Sequence, residues 1–206
     1  EHKDQLGNKA LITAGNVQWM STGYGVVHSE MPMTDENESM HGFQIWLNMP
    51  AKDKLRAARY QDSTSLPVLT NETGGSLKLL AGEWTFGGTT ASSPLTDLAA
   101  NGALGDLTLE SNAKAALDLS DAEQVLIYVH TGSFASPRLD RGQMAIVDAQ
   151  QAIAITAGEN GAGALILVGN KINEKIVHMG PFVMNTEQEI RQAVKDYQQG
   201  KFGQIT

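Results

Sequence analysis

The segment QWMSTGYGVVHSEMP, residues 18–32, carries the clearest structural and chemical signal in this chain. It places His28 and Glu30 two positions apart, just after a pair of β-branched valines. On a β-strand, side chains at i and i+2 leave the same face, with Cα atoms roughly 7 Å apart. A histidine nitrogen and a glutamate oxygen can therefore converge on one point, as two ligands of a metal ion do. The simpler alternative is that both side chains point to solvent or hydrogen-bond to each other.

Composition favours a β-rich fold. Hydrophobic residues make up 41% of the 206 residues and charged residues 18%, and the 21 glycines predict many turns. A chain of this length can bury roughly 70% of the surface that it exposes when unfolded, so it can form a substantial core. The composition therefore predicts an all-β or β-rich protein rather than a helical bundle.

Charge and cysteine content exclude several classes of function. A formal net charge of -8 offers no basic surface to neutralise phosphates, so we expect no direct nucleic-acid binding and no anionic membrane partner. The chain has no cysteine, which excludes disulfides, thiolate metal ligands and a cysteine nucleophile. No apolar run approaches the roughly 20 residues that span a bilayer. These features are compatible with the cytoplasm, where we expect the protein to act.

The start of the chain predicts a hairpin with one very short arm. Residues 4–8, DQLGN, can form a tight turn because glycine and asparagine tolerate positive φ. A strand at residues 9–13 follows the turn, but only residues 1–3 precede the turn. We therefore expect the chain to begin inside a strand, with upstream sequence missing. The alternative is a disordered tail that contains a fortuitous turn.

Further strands are predicted along most of the chain. Short β-branched or alternating runs bounded by turn residues indicate strands at residues 17–20, 26–30, 42–49, 76–81, 105–109, 123–132, 144–147, 152–156 and 164–168. Residues 50–67, rich in Lys, Arg and Asp, are predicted to be a linker or crossing segment. The glycine-rich residues 158–163 are predicted to be a turn. Many short strands between glycine turns are typical of a sandwich or barrel.

One helix is predicted, near the C-terminus. Thr186 and Glu189 form a capping box, in which the hydroxyl accepts from the N3 amide. An apolar stripe follows at i, i+4 and i+7, formed by residues 190, 194 and 197. Gly200 supplies a C-terminal stop. We expect the helix to pack outside the β core.

The remaining candidate residues give weaker signals. His41 could approach His28 in a hairpin, although solvation in a loop is the simpler interpretation. His130 ends an apolar strand, where a hydrogen-bonded core or rim histidine is common, and His178 precedes a predicted turn. His2 lies in the short first arm and receives no assignment. The three tryptophans are interpreted as core residues, although Trp46 could line the same cavity as His28.

Three motifs together resemble the pirin family of bicupin proteins. Residues 18–32 are followed by HGFQIWLN at 41–48 and by HMGPFVMNT at 178–186, in the order in which that family has them. The resemblance implies an all-β cupin fold, the double-stranded β-helix, arranged as a bicupin with the first barrel incomplete and with a C-terminal helix. It also implies two domains, residues 1–65 as the remaining part of the N-terminal cupin and residues 66–206 as the C-terminal cupin with the helix.

The resemblance also implies a metal site. The family site uses three histidines and one glutamate, usually around Fe(II), and its H-x-E pair maps onto His28 and Glu30. Glu30 would ligate the metal or accept the hydroxyl proton of the substrate, which makes it the candidate catalytic residue. The other two histidines belong to an H-P-H-R-G motif that these 206 residues do not contain. We therefore expect the chain as given to bind iron weakly or not at all.

In family terms the chain is similar to dioxygenases that cleave quercetin-type flavonols. The implied activity is metal-dependent oxidation of a flavonol-like small molecule by the full-length protein. The alternative that the resemblance implies is a non-enzymatic, redox-responsive regulatory protein whose metal tunes a surface for a protein partner.

Overall fold

Strands dominate the computed structural model, which describes residues 1–33, 39–119, 121–147 and 152–205. In chain order the strands are β1 His2–Asp4, β2 Lys9–Ala10, β3 Val17–Ser21, β4 His28–Glu30, β5 Arg59–Ser63, β6 Val68–Thr70, β7 Gly75–Ala81, β8 Glu83–Phe86, β9 Thr89–Ser92, β10 Ala103–Leu109, β11 Lys114–Leu117, β12 Gln124–Ser136, β13 Arg138–Asp140, β14 Met144–Val147, β15 Ile153–Gly169, β16 Val177–Met179 and β17 Phe182–Met184. Short 3₁₀ helices cover Ala51–Asp53 and Ala99–Asn101, and the α-helix α1 covers Glu187–Gln198. The predicted all-β architecture with one C-terminal helix is confirmed.

The chain divides into two units. The first unit joins Glu1–Asp62 to Ile172–Thr206, and the second unit is Ser63–Lys171. These two compact units do not follow the same division of the chain as the two predicted cupin domains. The domain boundaries at residues 65 and 66 therefore stay a prediction.

In the first unit, the predicted hairpin at residues 4–8 is confirmed. Strand β1 pairs antiparallel with β2, and the Asp4 amide donates to the Asn8 carbonyl at 3.1 Å. Gly7 occupies the turn with φ of +85°, in the left-handed region that glycine enters without strain. On its other side β1 pairs antiparallel with β4, so the sheet order is β2-β1-β4.

In the second unit, one large sheet surrounds the apolar core. Its strands follow the order β13-β12-β15-β10-β7-β6, with β11 also paired to β15 and β14 to β12. Alternating residues of β7 are buried, as expected for a strand with one face on a core. The core cluster includes the fully buried side chains of Leu77, Leu107, Val125 and Ile166. Strands β8 and β9 form a separate antiparallel hairpin.

Three predictions about local structure are wrong. Residues 42–49 form no strand, although their sequence alternates, because alternation without a partner strand leaves backbone groups unpaired. Residues 50–67 are not only a linker or crossing segment, since they contain a 3₁₀ helix and the whole of β5, which pairs with β3. Residues 158–163 are not a turn between two strands, because they lie inside the 17-residue strand β15. The polar composition of residues 33–41 predicts a loop, and residues 34–38 of that segment lie outside the described residues.

Helix α1 begins and ends as predicted. The Thr186 hydroxyl accepts from the Glu189 amide at 3.2 Å, and the Glu189 carboxylate accepts from the Asn185 amide at 3.2 Å. Of the predicted apolar stripe, Ile190 is buried whereas Tyr197 is mostly exposed. Among the described residues, no helix is long and apolar enough to span a membrane.

Candidate functional site

Four polar side chains share one face of the sheet formed by β1 and β4. The antiparallel register places His2 opposite Glu30 and Asp4 opposite His28. Residues directly opposite each other on neighbouring antiparallel strands project from the same face, with Cβ atoms roughly 5 Å apart. The pairing therefore brings two histidines and two carboxylates to one place, although they lie about 26 residues apart in the sequence.

His28 and Glu30 occupy alternate positions of β4, as the sequence predicts. Both are exposed, and the Glu30 side chain retains 53% of its accessible surface. The Gln44 amide donates to Glu30 Oε2 at 3.5 Å, which makes Gln44 a further neighbour of the carboxylate. The two candidate ligands are therefore accessible from solvent. That they bind a metal stays a prediction.

His2, which the sequence left unassigned, lies directly against this pair. Its side chain is only 1% exposed, its ring stacks on His28 with centroids 5.6 Å apart, and its Nδ1 lies 3.9 Å from Glu30 Oε1. Its Nε2 lies 2.9 Å from the Tyr60 hydroxyl oxygen. Burial lowers the pKa of His2 below its ordinary value, and the neighbouring His28 lowers the pKa further, while Glu30 and Asp4 oppose this shift.

Tyr60 and Asp4 form the buried side of the site. Burial and the hydrogen bond that Tyr60 donates to Asp4 raise the pKa of Tyr60 well above its ordinary value, so the phenol is neutral. Burial raises the pKa of Asp4, but hydrogen bonds from Asn8, Tyr60 and the Leu6 amide outweigh burial and leave the pKa below its ordinary value. The site is therefore built on an ionised aspartate and a neutral phenol.

The other histidines of the chain contact different groups. The His41 ring packs against Phe43 with centroids 5.2 Å apart. The His178 Nε2–H donates to the Gly180 carbonyl at 2.8 Å within the predicted turn, which is confirmed. Trp46 packs edge-on against His178, and its 62% exposure contradicts the interpretation of this tryptophan as a core residue. Trp84 is buried, as predicted.

His130 has a structural role in the second unit. It reaches from β12 across β15 to Asp106 on β10, where its Nε2 lies 2.9 Å from a carboxylate oxygen. A Cβ at Gly163 would lie 2.6 Å from the His130 ring, so the ring crosses β15 where there is no side chain. The prediction of a hydrogen-bonded core or rim histidine is confirmed, and this histidine lies in a different unit from the site around His28.

The site contains the types of donor atom that metal ions bind, but these atoms are not already arranged around one point. Neutral imidazole and carboxylate suit divalent first-row metals such as iron, nickel, manganese and zinc. Within the described ranges, no group of three His, Asp or Glu residues already forms a site that could hold a metal ion. One observation favours a cation nonetheless. The buried His2 Nδ1 has no hydrogen-bond partner among the described residues, and it faces a carboxylate oxygen.

Sequence reasoning missed His2, Tyr60 and Gln44 because their proximity to Glu30 depends on long-range pairing and packing. The alternation of His2 and Asp4 was visible in the sequence. It gains meaning only once β1 is known to pair with β4, because nothing local distinguishes that partner from any other strand.

Comparison with known proteins connects this site to a family. Residues 1–47 match the family model Pirin, and residues 104–203 match the model of the Pirin C-terminal cupin domain. A candidate quercetin 2,3-dioxygenase of Vibrio cholerae is 37% identical over 206 residues, which cover 98% of this chain and 72% of that relative. The segment with His2, His28 and Glu30 lies within the N-terminal match.

Solved structures show the same fold. The crystal structure of quercetin 2,3-dioxygenase from Acinetobacter baumannii has a TM-score of 0.83 and 28% identity, covering 100% of this chain and 73% of that chain. A bacterial pirin from Escherichia coli, solved in complex with nickel(II), has a TM-score of 0.60 and 23% identity. The match covers 82% of this chain and 66% of that chain, and this likeness concerns the fold alone. The predicted cupin fold is confirmed.

Proposed function

Because this chain belongs to the pirin family of cupin proteins, we propose that it acts as a metal-dependent dioxygenase on flavonol-type small molecules such as quercetin. The observation that carries the proposal is the His28 and Glu30 pair on one face of β4, within the segment that matches the Pirin model. The relative from Vibrio cholerae and the structure from Acinetobacter baumannii, both bearing the quercetin 2,3-dioxygenase name, support the substrate class.

The metal proposed for this site is Fe(II), held by His28 and Glu30. A bound metal would supply the Lewis-acid and redox chemistry through which a flavonol and dioxygen react. The imidazole of His28 contributes a neutral nitrogen donor, and the carboxylate contributes an oxygen donor that also neutralises charge. Nickel(II) and manganese(II) suit the same nitrogen and oxygen donors, so metal identity is a quantity to measure.

The Glu30 carboxylate has a second role, as acceptor of the hydroxyl proton of the substrate. Its exposed side chain is accessible to a flavonol, and a carboxylate within hydrogen-bond reach can serve as general base. The Gln44 amide donates to the other carboxylate oxygen and so restrains its orientation. Deprotonation makes the flavonol electron-rich, which is the form that reacts most readily with dioxygen.

The test is oxygen consumption with quercetin, measured together with loss of the flavonol absorbance. Protein is loaded anaerobically with Fe(II), nickel(II) or manganese(II) in parallel. The assay uses both the 206-residue chain and a chain preceded by an H-P-H-R-G segment, because the family ligand set includes two histidines of that motif. We expect the extended, metal-loaded protein to consume oxygen, and Glu30→Gln to lower the rate by about 10² or more.

A matched control is His178→Gln, which removes a histidine whose ring donates within a turn instead of contacting Glu30. Its rate should equal that of the unsubstituted protein. If the extended protein, loaded with each of the three metals, consumes no oxygen with quercetin, the enzymatic proposal fails. The non-enzymatic regulatory alternative would then be preferred.

A further inference from the structure

The end of α1 redirects the chain towards the segment that leads into β4. The Lys201 amide donates to the Asp196 carbonyl at 3.0 Å and the Gly200 amide donates to the Tyr197 carbonyl at 2.9 Å, which is the Schellman pattern. Gly200 has the positive φ of +70° that this pattern requires. We use the name C-terminal clamp for Asp196, Lys201, Phe202 and Gly203. The clamp and β4 belong to the same unit.

The Phe202 ring lies directly on the backbone of Gly25. The ring is buried, and a Cβ at Gly25 would lie 2.7 Å from its Cδ1, closer than real Cβ atoms approach. Only glycine therefore leaves room for the ring at this position. The Tyr24 ring meets Phe202 edge-on with centroids 5.1 Å apart, a distance at which aromatic pairs attract. Phe202 thus contacts the chain three residues before His28.

A buried carboxylate holds the same turn by hydrogen bonds. Asp196 is 5% exposed, and its Oδ2 accepts from the Tyr24 hydroxyl at 3.0 Å. Its Oδ1 accepts from the Gln192 amide at 2.8 Å and from the Lys201 ammonium at 2.7 Å. Three donors therefore satisfy the carboxylate, and one of them supplies the opposite charge. A satisfied buried network specifies geometry, so it holds the Tyr24 side chain in one orientation.

The clamp also contacts the residue that bonds to Val27, which immediately precedes His28. The Val27 amide donates to Gln5 Oε1 at 2.9 Å, and the Val27 carbonyl accepts from the Gln5 amide at 3.0 Å. A Cβ at Gly203 would lie 2.8 Å from Gln5 Cγ, so the clamp packs on the side chain that holds Val27. Contacts of the clamp therefore act at both ends of residues 24–27.

This support matters because β4 has little of its own. The strand has three residues, lies at the edge of its sheet and carries two exposed side chains. A misplacement of about 1 Å at a reacting group can lower a rate about 100-fold. We propose that the C-terminal clamp positions His28 and Glu30 for the reaction, with Phe202 and Asp196 as positioning residues. The inference rests on the proposed function and extends the machinery of that site to residues 196–203.

The first test is amide hydrogen exchange of the 206-residue chain, read by mass spectrometry for residues 24–30 and 124–136. Phe202→Ala should speed exchange of residues 24–30 at least about 10-fold, because removing the buried ring frees the turn. Residues 124–136 belong to the other unit and should not change. The matched control is Tyr197→Leu, which removes an exposed ring of the same aromatic cluster and should change neither segment. Equal acceleration of both segments by Phe202→Ala, or none, would overturn the proposal.

Gly25→Ala tests the same contact from the other side and decides the question if Phe202→Ala does not fold. Its added Cβ should displace the ring and speed exchange of residues 24–30. In Gly25→Ala/Phe202→Ala the ring is already absent, so the two effects should be clearly less than additive. Additive effects would show that the two residues act independently, which contradicts the clamp.

The second test asks whether the clamp serves the reaction. The extended, metal-loaded protein is assayed with quercetin at a temperature at which circular dichroism shows every variant to be folded. Phe202→Ala should lower kcat at least about 10-fold with little change in KM, because it shifts the reacting groups. Tyr24→Phe loses the bond to Asp196 but keeps its ring and should lower kcat less, and Phe202→Leu should recover part of the rate. A lower melting temperature with unchanged kcat would show a purely structural contact and overturn the proposal.

Hydrogen exchange separates this inference from the proposed function, because it needs neither metal nor flavonol. If the extended, unsubstituted protein consumes no oxygen, the proposed function fails, and exchange of residues 24–30 alone decides whether the clamp holds β4. If that protein is active and Phe202→Ala is equally active, the clamp has no part in the reaction and the proposed function stands.

Discussion

The core cluster of the second unit consists of apolar side chains, whereas the first unit buries mainly polar ones. The buried leucines of β7 and β10 and the buried valines of β12 belong to the second unit. The polar or charged side chains buried in the first unit, among the described residues, are His2, Asp4, Ser21, Lys54 and Asp196. Its buried apolar side chains within the same ranges are Ile190 and Phe202.

This difference indicates that the second unit contributes most of the apolar stabilisation, whereas the first unit contributes the reactive polar groups. Apolar burial stabilises without directional demands, at about 25 cal/mol per Å² removed from water. Buried polar groups stabilise the folded state only when each one is hydrogen-bonded. They therefore specify geometry more than they add to the free energy of unfolding. In the first unit, Lys54 donates to Asn185 at 2.7 Å and Asp196 accepts from Tyr24 at 3.0 Å. The candidate site lies in the first unit, whose buried polar groups are held by hydrogen bonds of this kind.

The largest expected effect is in the apolar core. Leu77→Ala removes a side chain that is 0% exposed and should lower the free energy of unfolding by about 2–5 kcal/mol, because a cavity is left behind. Leu11→Ala in the first unit removes a side chain that is 62% exposed and should change it by less than about 0.5 kcal/mol. Urea denaturation followed by circular dichroism measures both. Equal losses for the two variants would contradict the contrast between the units.

A second effect concerns the buried carboxylate of the first unit. Asp4→Asn should lower the free energy of unfolding by about 1–3 kcal/mol at pH 7, because the ionised acceptor of the hairpin amides and of Tyr60 is lost. Since the folded pKa of Asp4 lies below the ordinary value of 3.8, this contribution is present above pH 3.8 and is lost as the pH falls through the folded pKa.

Urea denaturation of the unsubstituted chain and of Asp4→Asn at pH 7 and at pH 3 measures this dependence. The difference between the two chains should be smaller at pH 3. Asp62→Asn, at an exposed position of β5, serves as the control and should show little difference at either pH. A difference for Asp4→Asn that stays constant with pH would show that the aspartate acts through shape rather than charge.

The smallest expected effect is at the helix cap. Thr186→Ala removes the hydroxyl that accepts from the Glu189 amide and should lower the free energy of unfolding by about 1 kcal/mol. Thr186→Ser keeps the hydroxyl and should recover most of that loss. Helical circular dichroism during thermal melting distinguishes the two variants. If serine and alanine behave alike, the cap does not stabilise α1.

Local chemistry made several features predictable from the sequence. Gly7 predicts its turn because a positive φ is open to glycine, and the Thr186 and Glu189 spacing predicts the start of α1. The two-residue spacing of His28 and Glu30 correctly places them on one face of a strand. Residues 42–49 show the limit of such reasoning, because their alternation resembles a strand but a strand also needs a partner.

Long-range pairing decided what local patterns could not. The glycines at 158–163 look like a turn, but within β15 the absence of a side chain at Gly163 lets the His130 ring cross to Asp106. His2 is one of five histidines in the sequence, and only the register of β1 with β4 places it opposite Glu30.

The sequence by itself determined the strand-rich class, the hairpin, the capped helix and the face that His28 and Glu30 share. These features follow from backbone preferences and side-chain periodicity, which act over a few residues. The tertiary structure alone decided that His2 and Gln44 lie beside Glu30 and that Tyr60 contacts His2. It also decided that one buried ring nitrogen of His2 has no hydrogen-bond partner among the described residues. The physical reason is that hydrogen bonding and burial depend on neighbours brought together across the fold, and sequence distance does not record those neighbours.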